Sequence, residues 1–263
     1  MIPQYCLTEW RQKAPWTEDY QVEQDLIISR VLVEIFNQPT IADSLAFRGG
    51  TALYKLFTPH PVRYSEDIDL VQINKGKIGD ILDAIRRIID PFLGKPARDA
   101  SNRIVTLTYK IPIENSIKPQ KLKIEINSRE HFSVYDLCQK ELSIESAWFS
   151  GKTAIKCYHF DELIGTKLRA LYQRRKGRDL FDIWFALQQD HFNPNNAVQA
   201  FQRYMEFENK KIGRGVFEKN LADKVESGYF TQDINPLLAP DIHWNALKAA
   251  EEVYSKIISL LPD

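Results

Sequence analysis

The densest set of reactive side chains lies between Arg48 and Leu70, in RGGTALYKLFTPHPVRYSEDIDL. Asp67 and Asp69 stand two positions apart, and on a strand a period of two turns both carboxylates to one face, about 7 Å apart, while Ile68 and Leu70 turn to the other. Two hard oxygen anions on one face suit a divalent cation: Mg²⁺ takes a few carboxylates and completes its shell with water and phosphate oxygens. Two such ions can clamp the attacking and leaving oxygens of a phosphoryl transfer. Glu125, in LKIEIN, is an acid flanked by apolar Ile124 and Ile126. It faces the same way as the pair if its strand adjoins theirs, which makes it the third candidate metal ligand. Upstream, Gly49 and Gly50 enter a predicted helix whose backbone N–H groups and positive end would receive a triphosphate, with the Thr51 hydroxyl as an extra donor.

These residues need a sheet edge and a strand-to-helix turn, and the surrounding sequence supplies both. Ser44 to Arg48 reads as a short strand, the glycine pair breaks it, and Thr51 to Phe57 has helical apolar spacing at Leu53, Leu56 and Phe57. The TPHPV segment must be a turn or loop, because two prolines remove donors and fix φ. Strands are expected at Asp67 to Ile73, Arg103 to Ile111 and Lys121 to Asn127, with a helix near Lys77 to Leu93. Before them, Thr17 to Phe36 predicts a long helix capped by Thr17, with Glu18 and Asp19 suited to its positive end. After Trp148 the pattern becomes helical, with segments at Asp161 to Gln173, Arg178 to Gln189, Asn195 to Glu208, Arg214 to Val225 and Ile242 to Leu260. The expected architecture is an α/β (α+β) lobe with a mixed sheet over residues 1–150, followed by a mainly helical lobe over 151–263. SGKT at Ser150 to Thr153 is read as punctuation between them. It is no phosphate-binding P-loop, since the G-x-x-x-x-G before the Lys is missing.

Composition narrows the field. The chain has 263 residues, 44% hydrophobic and 27% charged, as soluble globular proteins do, which excludes disorder and low complexity. The sequence shows no run of 18 apolar residues, so no membrane partner is expected. MIPQYCLTEW has no basic n-region and no apolar h-region, so a cytoplasmic location is expected. Cys6, Cys138 and Cys157 are widely separated in sequence and form no CxxC or zinc spacing, so buried, reduced thiols are expected. The five histidines show no HExxH or paired spacing and suggest structural roles. With 35 basic and 35 acidic residues the formal charge is zero, so nucleic-acid binding would have to come from a local patch. One candidate is KLRALYQRRKGR, where Lys167, Arg169, Arg174, Arg175, Lys176 and Arg178 occur without an acid. A solvated helix face is the simpler account of that run, and Tyr172 within it is placed to be core.

Singly, a DxD pair is a solvated turn, a Gly-Gly a plain turn and Glu125 a surface acid. Their joint order resembles that of the nucleotidyltransferase superfamily. The 16 residues between Gly50 and Asp67 exceed the superfamily's usual spacing and point to one branch. GGTALYKL followed by RYSEDIDL closely resembles the AbiEii/MenT-type nucleotidyltransferase toxins, which share GGTxL and RxSxDID segments. Lys167 in GTKLRAL, followed by Arg178-Asp179-Leu180-Phe181-Asp182, matches their Lys and R-D-x-x-D segments. The likeness covers roughly residues 20 to 190.

The resemblance implies a nucleotidyltransferase-like fold and an enzyme that takes an NTP with Mg²⁺ (or Mn²⁺) and transfers the nucleotide to an acceptor. For some members the acceptor is the 3′ end of tRNA, which blocks translation. It also implies a toxin-antitoxin or phage-defence setting with a cognate antitoxin of AbiEi type. The residues carried over are Gly49, Gly50, Thr51, Arg63 and Ser65 for the nucleotide, Asp67 and Asp69 for the metal, and Lys167 and Asp179 for catalysis. In that reading Ser65 and Thr51 bond triphosphate oxygens and Arg63 neutralises phosphate or pairs with an acid. Lys167 offsets charge developing on the phosphates, while Asp179 orients Lys167, binds nucleotide or helps deprotonate a hydroxyl. The basic run would flank the cleft where RNA lies. Two other readings keep the scaffold: kinase-like phosphate transfer to RNA or protein, and a non-catalytic nucleotide-binding regulator.

Overall fold

In the computed structural model, which describes residues 2–112 and 119–263, the chain divides into two compact units. One comprises Met1–Ser133 and Leu137–Tyr158, the other Val134–Asp136 and His159–Asp263.

The first unit is built on a seven-stranded mixed sheet. In chain order its elements are α1 (Gln4–Trp10), α2 (Asp19–Phe36), α3 (Pro39–Ser44), β1 (Leu45–Arg48), α4 (Gly49–Leu56), β2 (Asp67–Gln72), α5 (Gly79–Leu93), β3 (Ala97–Ala100), β4 (Ile104–Ile111), β5 (Gln120–Asn127), β6 (Cys138–Glu145) and β7 (Ser150–Cys157). The strand order is β3-β4-β5-β2-β1-β7-β6. β2 runs parallel to β5 and β1 parallel to β7, and the other neighbours are antiparallel. Central β1 and β2 carry the candidate residues. Leu45, Phe47, Ile68 and Leu70 are buried on one face there, so register is fixed: a slip by one residue would turn this apolar set to the opposite face.

α2 packs on β5, β6 and β7 and is buried almost all round, with Leu26, Ile28, Val31, Leu32 and Ile35 out of contact with solvent. Its buried polar groups serve as ties, because a desolvated polar atom must find a partner. Gln24 Nε2 donates to the Glu66 carbonyl at 2.7 Å and to that of Lys121 at 3.2 Å, holding the entries of β2 and β5 together. Tyr64 donates to Gln24 Oε1 at 2.8 Å. Asp25 accepts from Lys55 Nζ at 2.6 Å and from Trp10 Nε1 at 2.8 Å, which fastens α4 and α1 to α2.

The second unit follows the expected helical pattern: α6 (Phe160–Gln173), α7 (Gly177–Ala186), α8 (Pro194–Phe207), α9 (Arg214–Val225), α10 (Gly228–Gln232) and α11 (Ala246–Lys256), with 3₁₀ turns at Asn235–Leu237 and Ile258–Leu260. Phe181, Phe201, Tyr204, Phe217 and Val253 form its core. Fully buried Glu162 accepts the amides of Val134 at 2.8 Å and Tyr135 at 3.0 Å and the Tyr204 hydroxyl at 2.8 Å, so the short 134–136 segment is clipped onto α6.

The structure corrects several expectations. Glu18, not Thr17, caps α2, and its amide is met by the Gln21 side chain at 3.3 Å. α4 begins at Gly49 itself, two residues earlier than expected. SGKT is not punctuation but the first half of β7, whose burial alternates so that Thr153, Ile155 and Cys157 point inward. The residue-150 boundary therefore coincides with a strand start, and the compact units part between Tyr158 and His159. The cysteines are not all apart: Cys138 and Cys157 sit opposite each other across the β6–β7 pair, and Cys138 is only half-buried.

Candidate active site

β1 ends at Arg48, and α4 starts at once, with Gly49 at φ +83°. That conformation costs an L side chain about 1–2 kcal/mol, which is one reason for glycine. Crowding is the second reason. A Cβ on Gly49 would overlap Asp69 Oδ2 and lie 2.7 Å from Asp69 Cγ and 2.9 Å from Asp69 Cβ. A Cβ on Gly50 would lie 2.6 Å from Arg63 Nη2 and 3.0 Å from Ser65 Oγ. The two glycines thus let the backbone come down onto the very residues quoted from the RxSxDID segment.

Thr51 completes the fastening. It is buried, donates from Oγ1 to the Asp67 carbonyl at 2.5 Å and lies 2.9 Å from Ser65 Oγ. Arg63 is buried at 2% exposure, donates from Nη1 to the Tyr64 carbonyl at 2.9 Å and places its guanidinium 4.8 Å from the Tyr54 ring centre. In this arrangement Thr51 and Arg63 position the turn and the strand entry, while half-buried Ser65 sits beside Gly50.

The carboxylates line one face, as the period of two requires. Asp69 pairs in register with Arg48 on β1 and with Glu125 on β5, and Glu125 in turn with Thr106 on β4. One row therefore reads Arg48, Asp69, Glu125, Thr106. The next holds Asp67 beside Lys123 and Thr108. Both rows are half-buried, whereas Ile68 and Leu70 on the other face are fully covered.

Burial raises the Asp67 carboxyl from its usual range to about 7, helped by the negative charges of Glu66, Asp69 and Glu125 and opposed by Lys123. Like charges held this close resist ionisation, and a divalent cation relieves them by replacing the proton. Among the described residues no three His, Cys, Asp or Glu side chains converge on one point able to hold an ion. The donor set nevertheless fits Mg²⁺, which ordinarily takes one or two carboxylates and leaves the remaining positions to water and substrate phosphates. Asp67 and Asp69 meet that requirement by themselves, with Glu125 in the adjoining strand.

Sequence reasoning passed over two cations beside these acids. Arg48 donates from Nη1 to Glu130 Oε2 at 2.6 Å, with both side chains largely covered. Lys123, opposite Asp67, stands two residues before Glu125, so the same period of two could have placed it on this face.

The helical unit gathers a second set. Lys167 on α6 lies 2.8 Å from Asp182 and 3.6 Å from Asp179, both fully buried on α7. Arg174 clasps Asp179 with two bonds, Nε to Oδ2 at 2.7 Å and Nη2 to Oδ1 at 2.8 Å. Asp182, quoted in the sequence but given no role, is the nearest partner of Lys167. The i, i+3 spacing that puts it on the face of Asp179 was the available signal. The remaining basic run is largely paired within the unit: Lys176 and Arg178 reach Asp233 at 3.4 and 4.0 Å, and Arg169 reaches Glu208 at 3.7 Å. Arg175 is exposed, and Tyr172 packs its ring against Phe217 at 5.5 Å.

Comparison with known proteins follows the same lines. The family described as nucleotidyl transferase AbiEii toxin, type IV TA system, matches residues 30–254. Among solved structures, JHP933 from Helicobacter pylori is 18% identical over 92% of each chain, with a TM-score of 0.59. MenT4, a nucleotidyltransferase toxin from Mycobacterium tuberculosis H37Rv, is 13% identical over 100% of both chains, with a TM-score of 0.54. At these identities the structures share the fold. No curated protein matches the chain.

Proposed function

Because the chain belongs to the AbiEii family of nucleotidyl transferase toxins, we propose that it transfers a nucleotide from an NTP to an RNA acceptor, the 3′ end of tRNA, in a reaction requiring Mg²⁺ or Mn²⁺. The observation that carries this reading is the glycine pair pressed against Asp69, Arg63 and Ser65 beside a face of mutually repelling carboxylates. That arrangement offers backbone donors for phosphate oxygens next to anions for a cation.

In the proposed reaction an acceptor hydroxyl oxygen attacks the α-phosphorus and pyrophosphate leaves. The metal would supply charge neutralisation on the triphosphate, and Asp67 and Asp69 would hold it, with Glu125 as a nearby third carboxylate. Amides of Gly50 and Thr51 in the first turn of α4 would receive phosphate oxygens. Ser65 would add a hydroxyl there, and Arg63 would keep Gly50 seated and contribute positive charge. Lys167 is assigned to neutralising charge on the reacting phosphates, and Asp179 and Asp182 to holding it. Arg175, with the partly exposed Arg174 and Lys176, is assigned to the RNA backbone, where cationic side chains give affinity without sequence preference. An AbiEi-type antitoxin is the proposed partner, and its co-expression should relieve growth arrest caused by this chain.

The test uses purified protein and Asp67→Ala with Mg²⁺, each α-labelled NTP in turn, total RNA and total protein. Label in a tRNA-sized band with the native chain and none with the variant is the expected result. Label carried only by γ-labelled NTP would replace nucleotide transfer with phosphate transfer. Nucleotide binding without any labelled product would leave only a regulator.

A further inference from the structure

The two cysteines brought together by the sheet have no part in the chemistry above. Cys138 opens β6, the edge strand, and Cys157 closes β7, its neighbour, and the antiparallel register sets the two residues directly opposite. Directly opposed residues point to the same face with Cα atoms about 4.5–5.5 Å apart. A disulfide spans Cα separations of about 4.4–6.8 Å, a range that includes the spacing of directly opposed residues. Exposure differs between them: Cys157 is fully buried, whereas Cys138 is half-buried on the sheet edge.

We propose that Cys138 and Cys157 are an oxidative modification site, closing to a reversible intramolecular disulfide in the presence of a peroxide. The Cys138 thiolate attacks a peroxide oxygen; the S–O bond forms, the O–O bond breaks, and the departing hydroxide takes a proton and leaves as water. The Cys157 sulfur then attacks the Cys138 sulfenic sulfur; the S–S bond forms, the S–O bond breaks, and hydroxide leaves with the Cys157 proton as a second water. Two thiols lose two electrons and one peroxide gains them.

The order follows from the surroundings. Burial pushes the Cys157 thiol up to about 12, with the nearby Cys138 adding to it and Lys140 offsetting part, so Cys157 is the poorer first nucleophile. Two topological facts give the bond consequence. Each cysteine lies two residues from a point where the chain passes between its compact units, and Cys157 also pairs with Phe47, two residues before Gly49.

The experiment treats the folded 263-residue chain with hydrogen peroxide, removes the peroxide, blocks remaining thiols with N-ethylmaleimide in denaturant and maps peptides by mass before and after dithiothreitol. The expected outcome is a linked Cys138–Cys157 peptide that dithiothreitol abolishes, with only Cys6 alkylated. Cys6→Ser should behave like the native chain, and Cys138→Ser should yield no linked peptide while Cys157 stays reduced. Cys138, being half-buried, is the substitution that leaves the core intact, and circular dichroism of the variant verifies its fold. Cys138 recovered as free thiol or sulfinic acid with Cys157 unmodified, or linkage only between two chains, would overturn the proposal.

Discussion

Replacing Gly49 by Ala tests whether the glycine pair exists to let the backbone meet Asp69. The added Cβ would sit at φ +83°, which costs about 1–2 kcal/mol. Rotating the Asp69 side chain could clear Oδ2 and Cγ, but not its Cβ, which would still lie 2.9 Å away. The β1–β2 pairing at Arg48 and Asp69 must therefore give by several tenths of an ångström, an overpacking strain of about 1–3 kcal/mol. Together these predict a loss of about 2–5 kcal/mol, against a typical stability of about 5–15 kcal/mol. Gly50→Ala meets only the end of Arg63 and the Ser65 hydroxyl and carries no positive φ. It should cost about 1–3 kcal/mol from crowding, offset by about 0.4–1 kcal/mol from a stiffer unfolded chain. Urea unfolding followed by tryptophan fluorescence measures both. The decisive arm is Asp69→Gly, which removes the three atoms nearest the new Cβ. In that background Gly49→Ala should keep the backbone cost and recover the crowding part, a coupling of about 1–3 kcal/mol. Equal costs in the two backgrounds, or a Gly49→Ala protein as stable as the native one, would refute the close-approach argument. Under the proposed function, displacing Asp69 by several tenths of an ångström should also lower nucleotide transfer, with about 10²-fold as the upper bound set by a displacement of about 1 Å.

Three further outcomes follow. Asp67 rises from 3.8 to about 7 in the folded, metal-free chain, so between those values the folded state holds a proton that the unfolded state lacks, and stability falls as pH rises. The shift of about three units bounds the effect at about 4 kcal/mol by pH 8; Asp67→Asn should remove it in chemical denaturation at pH 4 and pH 8, millimolar Mg²⁺ should reduce it in the native chain only, and a pH-independent difference between the two proteins would contradict it. Asp182→Asn should cost about 3–5 kcal/mol by leaving buried Lys167 with only the shared Asp179, whereas Lys167→Met with Asp182→Leu should regain most of that. Labelled-nucleotide assays on the restored double variant then separate fold from chemistry, since full transfer without Lys167 would sink its assigned role. Gly177→Ala would drive a Cβ into the Phe230 carbonyl and should cost about 1–3 kcal/mol in thermal or urea unfolding, with Gly228→Ala, which meets open space, near neutral.

What could be read from the sequence was whatever announces itself through periodicity. Asp67 and Asp69 on one face, Ile68 and Leu70 on the other, and Glu125 in an adjoining strand all follow from the period of two once the strands are placed. Helices α6, α7, α8 and α11 of the second unit, each ten residues or longer and amphipathic, were legible for the same reason. β6 and β7 were not: β6 is an edge strand with four exposed positions, and β7 begins with a Ser-Gly-Lys that imitates a linker. α3 and α10 have six and five residues, too few for a helical repeat to show. Strand order has no local signature, so the meeting of Cys138 with Cys157 and of Lys123 with Asp67 waited on the topology.

The residues of the quoted motifs prove to do two kinds of work, and the structure separates them. Gly49, Gly50, Thr51 and Arg63 spend their polarity or their missing side chains on one another and on the β2 entry: Thr51 on the Asp67 carbonyl, Arg63 on the Tyr64 carbonyl and Tyr54 ring, the glycines on the room that Asp69, Arg63 and Ser65 need. Asp67, Asp69 and Glu125 do the reverse. They crowd like charges on a half-buried face at a cost to the metal-free fold, with Lys123 as a partial offset. Substitutions in the first group should therefore lower stability and transfer together. Asp67→Asn should raise stability above neutral pH while abolishing transfer. A motif that only built the fold would never show that opposition of signs.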